Sequence, residues 1–178
     1  MTPAEVAAAL KEDGFQLSFR SKGRSWQGEV ANQVSNLRSA RTPAGAEVTA
    51  REDYRVGQEQ VQVTYTPGRL GPYVSRVHYK IQFGAIEAES FQRAVLSRYG
   101  RPSLEWRFES LYCSPREPRC SRTGSLVEND LPSLTVRVMD VMNRSLELRQ
   151  GQRADRAHEA AVRAEAERLY PKMNKPSF

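Results

Sequence analysis

Between residues 60 and 83 apolar side chains recur at every second position, and the rest of the chain is arranged around that stretch. Val61, Val63 and Tyr65 alternate with Gln60, Gln62 and Thr64. After a Gly- and Pro-rich interval, Val77, Tyr79, Ile81 and Phe83 alternate with Arg76, His78, Lys80 and Gln82. Period two marks a strand with one face in the core, so the pattern predicts a long antiparallel hairpin with a wide loop from Pro67 to Pro72. The period then changes. From about Ile86, Phe91, Val95 and Leu96 share one side of a helix, Gly100 stands where a left-handed cap is wanted, and Pro102 forbids continuation.

The upstream third opens on a dense helix start. Thr2 suits the N-cap, Pro3 the first helical position and Glu5 the far corner of a capping box. Val6, Ala9 and Leu10 form a short apolar stripe, ended by Gly14. Phe15, Leu17 and Phe19 alternate as a first strand, and Ser21–Arg24 is predicted to turn the chain. Trp26, Val30, Val34 and Leu37 then fall on one face of a second helix, weakened by Gly28. Residues 39–46 read as a loop, with Val48 and Ala50 beginning another strand. The charged remainder to Gln60 reads as a loop or ragged edge, with Glu52 and Asp53 as solubilising charges.

Strand-like alternation returns after Gly100. Leu104, Trp106, Phe108 and Leu111 supply one set of apolar positions, Leu134, Val136 and Val138 a second, and Leu146 and Leu148 a third. Trp26 and Trp106 both fit core faces. From Gln150 the chain is alanine-rich and predicts a helix with a thin stripe of Ala154, Ala157, Ala161, Ala164 and Leu169. Alanine buries little area, so this helix is expected to lie on the sheet or in solvent, or to find a partner. The architecture expected is α+β: an antiparallel sheet with short helices packed on one face and a C-terminal helix. Residues 1–149 would form the domain, and 150–178 the alanine-rich helix and an irregular tail.

Composition changes this picture little. Hydrophobic residues at 39% and charged residues at 27% are globular values, and no apolar run approaches the roughly 18 residues of a membrane helix. Met1 is followed at once by a capped helix rather than a leader, which fits either a cytosolic protein or a mature form whose signal peptide has been removed. The net charge of +6 and an arginine count of 22 against 5 lysines invite a nucleic-acid reading. The surplus is spread thinly, however, without a basic run or a stripe of arginines interleaved with aromatics.

Cys113 and Cys120 enclose a polar loop with two prolines. A disulfide there ranks first; it would staple the mouth of a hairpin between strands ending near Leu111 and beginning near Ser125, and contribute about 2 kcal/mol. Free thiols in a reducing cytosol rank second. A zinc site ranks third, because the spacing is wrong and only His78 and His158 could help. A bridge would place the protein outside the cytosol.

No catalytic constellation, metal set or cofactor fingerprint is found: there is no G-x-S-x-G, P-loop, H-E-x-x-H or dinucleotide motif. His78, on a polar strand face, and His158, in the alanine helix, are both expected at the surface. The remaining candidate is the turn of the central hairpin. Leu70 and Tyr73, helped by Arg69, could anchor a protein partner there, since such side chains dominate interface energies. Equally, they could fold back as a small satellite cluster.

The phrases MTPAEVAAALKEDGF and FQRAVLSRYGRPS, with the hairpin between them and a Trp-containing strand and cysteine loop after them, carry a resemblance. Residues 1–148 resemble uncharacterised exported proteins of Gram-negative bacteria. They are loosely similar to the SmpA/OmlA outer-membrane lipoproteins and to the β-lactamase-inhibitor-like fold. Those families bind proteins and have no catalytic residues to carry over; the lipidated N-terminal cysteine of the lipoproteins has no counterpart here. The resemblance implies a periplasmic, non-enzymatic protein that takes a protein partner and no cofactor. The alternative is a cytosolic nucleic-acid-binding module.

Overall fold

The computed structural model describes residues 1–38, 45–82, 84–106, 108–114, 120–123, 126–128, 130–138 and 143–170. The fold is α+β, with an eight-stranded sheet in which every neighbouring pair runs antiparallel. Its strands are β1 (Gln16–Arg24), β2 (Glu47–Val56), β3 (Glu59–Gly68), β4 (Gly71–Gln82), β5 (Leu104–Trp106), β6 (Glu109–Cys113), β9 (Ser133–Arg137) and β10 (Asn143–Arg149). They lie in the order β1-β2-β3-β4-β10-β9-β6-β5, and β7 (Ser121–Thr123) and β8 (Leu126–Glu128) form a separate pair. The helices are α1 (Pro3–Glu12), α2 (Trp26–Leu37), α3 (Ala88–Tyr99) and α4 (Gln152–Leu169).

The central hairpin forms in the phase that its alternation predicts. Val61 faces Tyr79 and Val63 faces Val77 across the ladder. These residues, with Tyr54 and Tyr65, receive Val6, Ala7 and Leu10 of α1. Farther along the same face, Ile81, Leu134 and Val136 receive Phe91 and Val95 of α3. The capping box of α1 is complete: Thr2 N donates to Glu5 Oε2 at 2.7 Å, and Glu5 N to Thr2 Oγ1 at 3.4 Å. Those hydrogen bonds from Thr2 hold the Glu5 carboxyl below its ordinary pKa. Gly100 ends α3 at φ 74°, the left-handed conformation its position required. Phe83, residues 39–44 and the tail after Tyr170 lie outside the described residues.

Several expectations are overturned. The loop of the central hairpin is not wide: Pro67 pairs with Pro72 and Gly68 with Gly71, leaving Arg69 and Leu70 as the whole turn. Strand β1 runs through Ser21–Arg24 instead of turning there. A bulge between Leu17 and Phe19 breaks its alternation, and both residues stay half-exposed on this edge strand. The charged stretch to Gln60 is neither loop nor ragged edge. It is β2, paired on both sides, with Glu52, Asp53 and Tyr54 buried. Trp26 is buried as expected, whereas Trp106 and Phe108 are exposed because the chain turns back between β5 and β6.

The C-terminal helix finds its partner within the chain. Ala166 of α4 is buried against Trp26 and Val30 of α2, with Ala161, Val162 and Val34 beside them. The stripe expected from alanine spacing is not the one used, since Ala154, Ala157, Ala164 and Leu169 are all exposed.

Candidate functional site

The expected site residues lie where the β3–β4 turn meets the seam between α2 and α4, and the three side chains separate. Tyr73 folds back along its own hairpin: a Cβ on Gly68 would come within 3.2 Å of its ring. Burial, then the carboxylates of Asp155 and Glu29, push its phenol above the ordinary value. Arg69 reaches across to the helices. Its guanidinium stands over the Trp26 ring, 5.3 Å from the centroid, and lies 3.7 Å from a Glu165 carboxylate oxygen of α4. Leu70 is fully exposed. The turn therefore divides: one residue packs, one braces, one projects.

Behind Arg69 the seam is polar as well as apolar. The Trp26 ring meets the His158 ring edge-on at 5.5 Å, and His158 Nε2 lies 2.7 Å from Glu29 Oε2. His158 is thus no surface histidine; it ties α4 to α2. Ser25 caps α2 by accepting from Gly28 N at 3.1 Å, which fixes Trp26 at the first helical position. Beside this junction opens a cleft of ≈ 470 Å³ lined by Arg24, Glu29, Asn32, His158, Glu159 and Arg163, among others. Guanidinium, carboxylate and amide groups of that kind hydrogen-bond a polar surface in either sense. Arg24 and Arg163 make no ion pair among the described residues.

Two other polar centres were misjudged from the sequence. Glu52 is completely buried. Its Oε2 accepts from the Tyr54 and Tyr65 hydroxyls at 2.8 and 2.6 Å, and its Oε1 accepts from Arg20 Nε and Nη2 at 2.8 and 2.6 Å. Next to it on the opposite face, Asp53 accepts from Arg51 at 2.8 and 2.7 Å and from Gln62 at 3.2 Å. Arg51 above all holds the Asp53 carboxyl below its ordinary range. His78 does lie on the polar face but is largely covered. Burial first and Lys80 second lower its pKa, against the opposing pull of Glu147, whose carboxylate lies 4.0 Å away.

Cys113 and Cys120 form a disulfide, Cα to Cα 6.1 Å, so neither free thiols nor a zinc site describes them. The bridge does not close the mouth of a hairpin. Strand β6, which ends at Cys113, pairs with β5 and β9, whereas Cys120 leads into the separate β7–β8 pair. It therefore ties that small ribbon to the main sheet. Among the described residues no group of three or more His, Cys, Asp or Glu is placed to hold a metal ion, and no helix is long and apolar enough to cross a membrane.

Comparison with protein-family models, with curated proteins and with solved structures finds no match to this chain.

Proposed function

We propose that the protein is a non-enzymatic, extracytoplasmic binding module that engages a protein partner through the β3–β4 tip. The observation that carries this reading is Leu70, a fully exposed leucine on a two-residue turn whose neighbour is clamped to the helices. An apolar side chain at such a place contributes nothing to the core. Buried by a partner, it would gain about 1.5–3 kcal/mol. Bracing by Arg69 limits the ordering entropy that a flexible loop would lose on binding. The Cys113–Cys120 bridge supports an oxidising compartment, and the sequence resemblance narrows it to the periplasm of a Gram-negative bacterium.

The test is a comparison of Leu70→Asp with the unaltered chain. Melting temperatures should agree, because Leu70 touches nothing whose loss would matter. Proteins that co-purify with the unaltered chain from its native compartment should be depleted on the variant by about tenfold or more. An identical set on both would remove the tip from the interface.

Compartment is checked separately by titrating thiols in denatured, non-reduced protein isolated from its source. No reactive thiol is the expected result. Two per chain would place the protein in a reducing compartment.

A further inference from the structure

The core face of the sheet is not covered along its whole length. α3 ends at Tyr99, and beyond it Leu148 of β10 is paired opposite Leu134 of β9 and Val77 of β4. That register gives it a core-facing position, yet it is 50% exposed. A groove of ≈ 570 Å³ opens there, within the roughly 300–1,000 Å³ typical of small-molecule sites. Leu134 and Tyr112 belong to the same apolar cluster as Phe91 and Val95, and with Leu148, Pro132 and Tyr99 they line the groove. The Tyr99 and Tyr112 rings are 6.0 Å apart and tilted by 57°.

The rim carries one cation, and its backbone is fixed. Gly100 turns the chain out of α3, Tyr112 Oη donates to Gly100 O at 3.2 Å, and Ser103 N donates to Leu111 O at 2.8 Å. Cys113 N, next to the disulfide, donates to Ser103 Oγ at 3.0 Å. Residues 100 and 103 are thereby held on β6, and Arg101 stands between them at the edge of the groove. Arg101 makes no ion pair or hydrogen bond among the described residues. Asp and Glu are missing from the lining.

We infer that this groove binds an amphipathic monocarboxylate, with its hydrocarbon body on Leu134, Leu148, Pro132 and the two tyrosines and its carboxylate on Arg101. The apolar walls alone would accept any hydrocarbon. An unpaired guanidinium at a fixed rim selects among them, because it is a strong and preferably bidentate carboxylate donor. A neutral amphiphile would leave that donor in water, whereas an ammonium would meet a like charge.

Titration calorimetry of the full chain with decanoate and with decanol tests the assignment. Decanoate should bind one per chain and more tightly than decanol. Arg101→Gln should weaken decanoate by about tenfold or more and leave decanol unchanged. Leu148→Asp should abolish both. Arg101 and Leu148 are exposed, so both variants should keep the melting temperature of the unaltered chain, and a ten-residue-scale refolding defect is not at issue. The inference fails if decanoate does not bind, or if Arg101→Gln binds it as the unaltered chain does. It fails equally if sedimentation shows a dimer that Leu148→Asp dissociates, since a second copy would then be the occupant.

Discussion

Replacing Glu52 with alanine should destabilise the protein by about 3 kcal/mol, the largest loss expected from any single polar side chain here. The carboxylate has no contact with water and four donor contacts, two from tyrosines and two from Arg20. Alanine would strand the Tyr54 and Tyr65 hydroxyls in the core, where an unsatisfied donor costs about 1–3 kcal/mol. Arg20 is half-exposed and can return to water, so its share is small. Urea unfolding followed by tryptophan fluorescence measures the difference. Glu52→Gln, which keeps an acceptor at the same place, should lose less than alanine. Equal losses would mean that volume rather than hydrogen bonding holds this site.

The same network has an alkaline signature. Burial first, and then the bonds to Glu52, raise the phenol pKa values of Tyr54 and Tyr65. A group that holds its proton more tightly in the folded state stabilises fully below the unfolded pKa, about 10 for tyrosine. That contribution is lost as pH rises from there toward the folded values. Unfolding free energy should therefore fall above about pH 10, and part of the phenolate absorbance should appear only with unfolding.

Why the network escaped sequence reading is a matter of pattern. Arg51-Glu52-Asp53-Tyr54-Arg55 has one aromatic among four charges, and no hydrophobic period can find a strand in it. The pairing supplies what periodicity lacks: Glu52 stands opposite Arg20 on one side and Val63 on the other. A buried carboxylate becomes tolerable only because its partners arrive from strands tens of residues apart. The hairpin, by contrast, was plain because each strand alternates cleanly over its own length, and α1 because its cap is local.

The seam that carries the candidate site was half legible. Trp26, Val30 and Val34 announce the α2 face by spacing alone. On α4 the docked stripe runs through His158, Ala161, Val162, Glu165 and Ala166. Two of its five members are ionisable, so apolar spacing pointed to the wrong side of the helix. Histidine and glutamate belong in that stripe because Glu29 and Arg69 meet them there, from α2 and from the hairpin turn. Leu70 was visible as an apolar residue in a turn; that Arg69 would brace it required knowing where Trp26 lies.

Gly151→Ala should cost about 3 kcal/mol, near the upper end of overpacking losses, and should disturb the seam from a distance. Gly151 is the buried N-cap of α4, and its φ of −74° suits any residue, so conformation is not the obstacle. Space is. A Cβ there would lie 2.4 Å from the Asp130 carbonyl carbon and 2.5 Å from Leu131 N. Both are backbone atoms and cannot rotate away, so either the 130–131 segment or the start of α4 must move. The ion pair between Arg156 and Asp130 couples the two and would be strained with them. Seven residues along α4, His158 sits on Trp26 and Glu29, so displacement of the helix should change the Trp26 environment. In a Trp106→Phe background, Gly151→Ala should lower the melting temperature and shift Trp26 emission toward that of an exposed indole. Gly57→Ala is the control: its Cβ would meet nothing within 4 Å, and its cost should be confined to the strain of a positive φ of 53°, about 1 kcal/mol. If Gly151→Ala melts no lower than Gly57→Ala with Trp26 emission unchanged, α4 does not depend on that close approach for its place on α2.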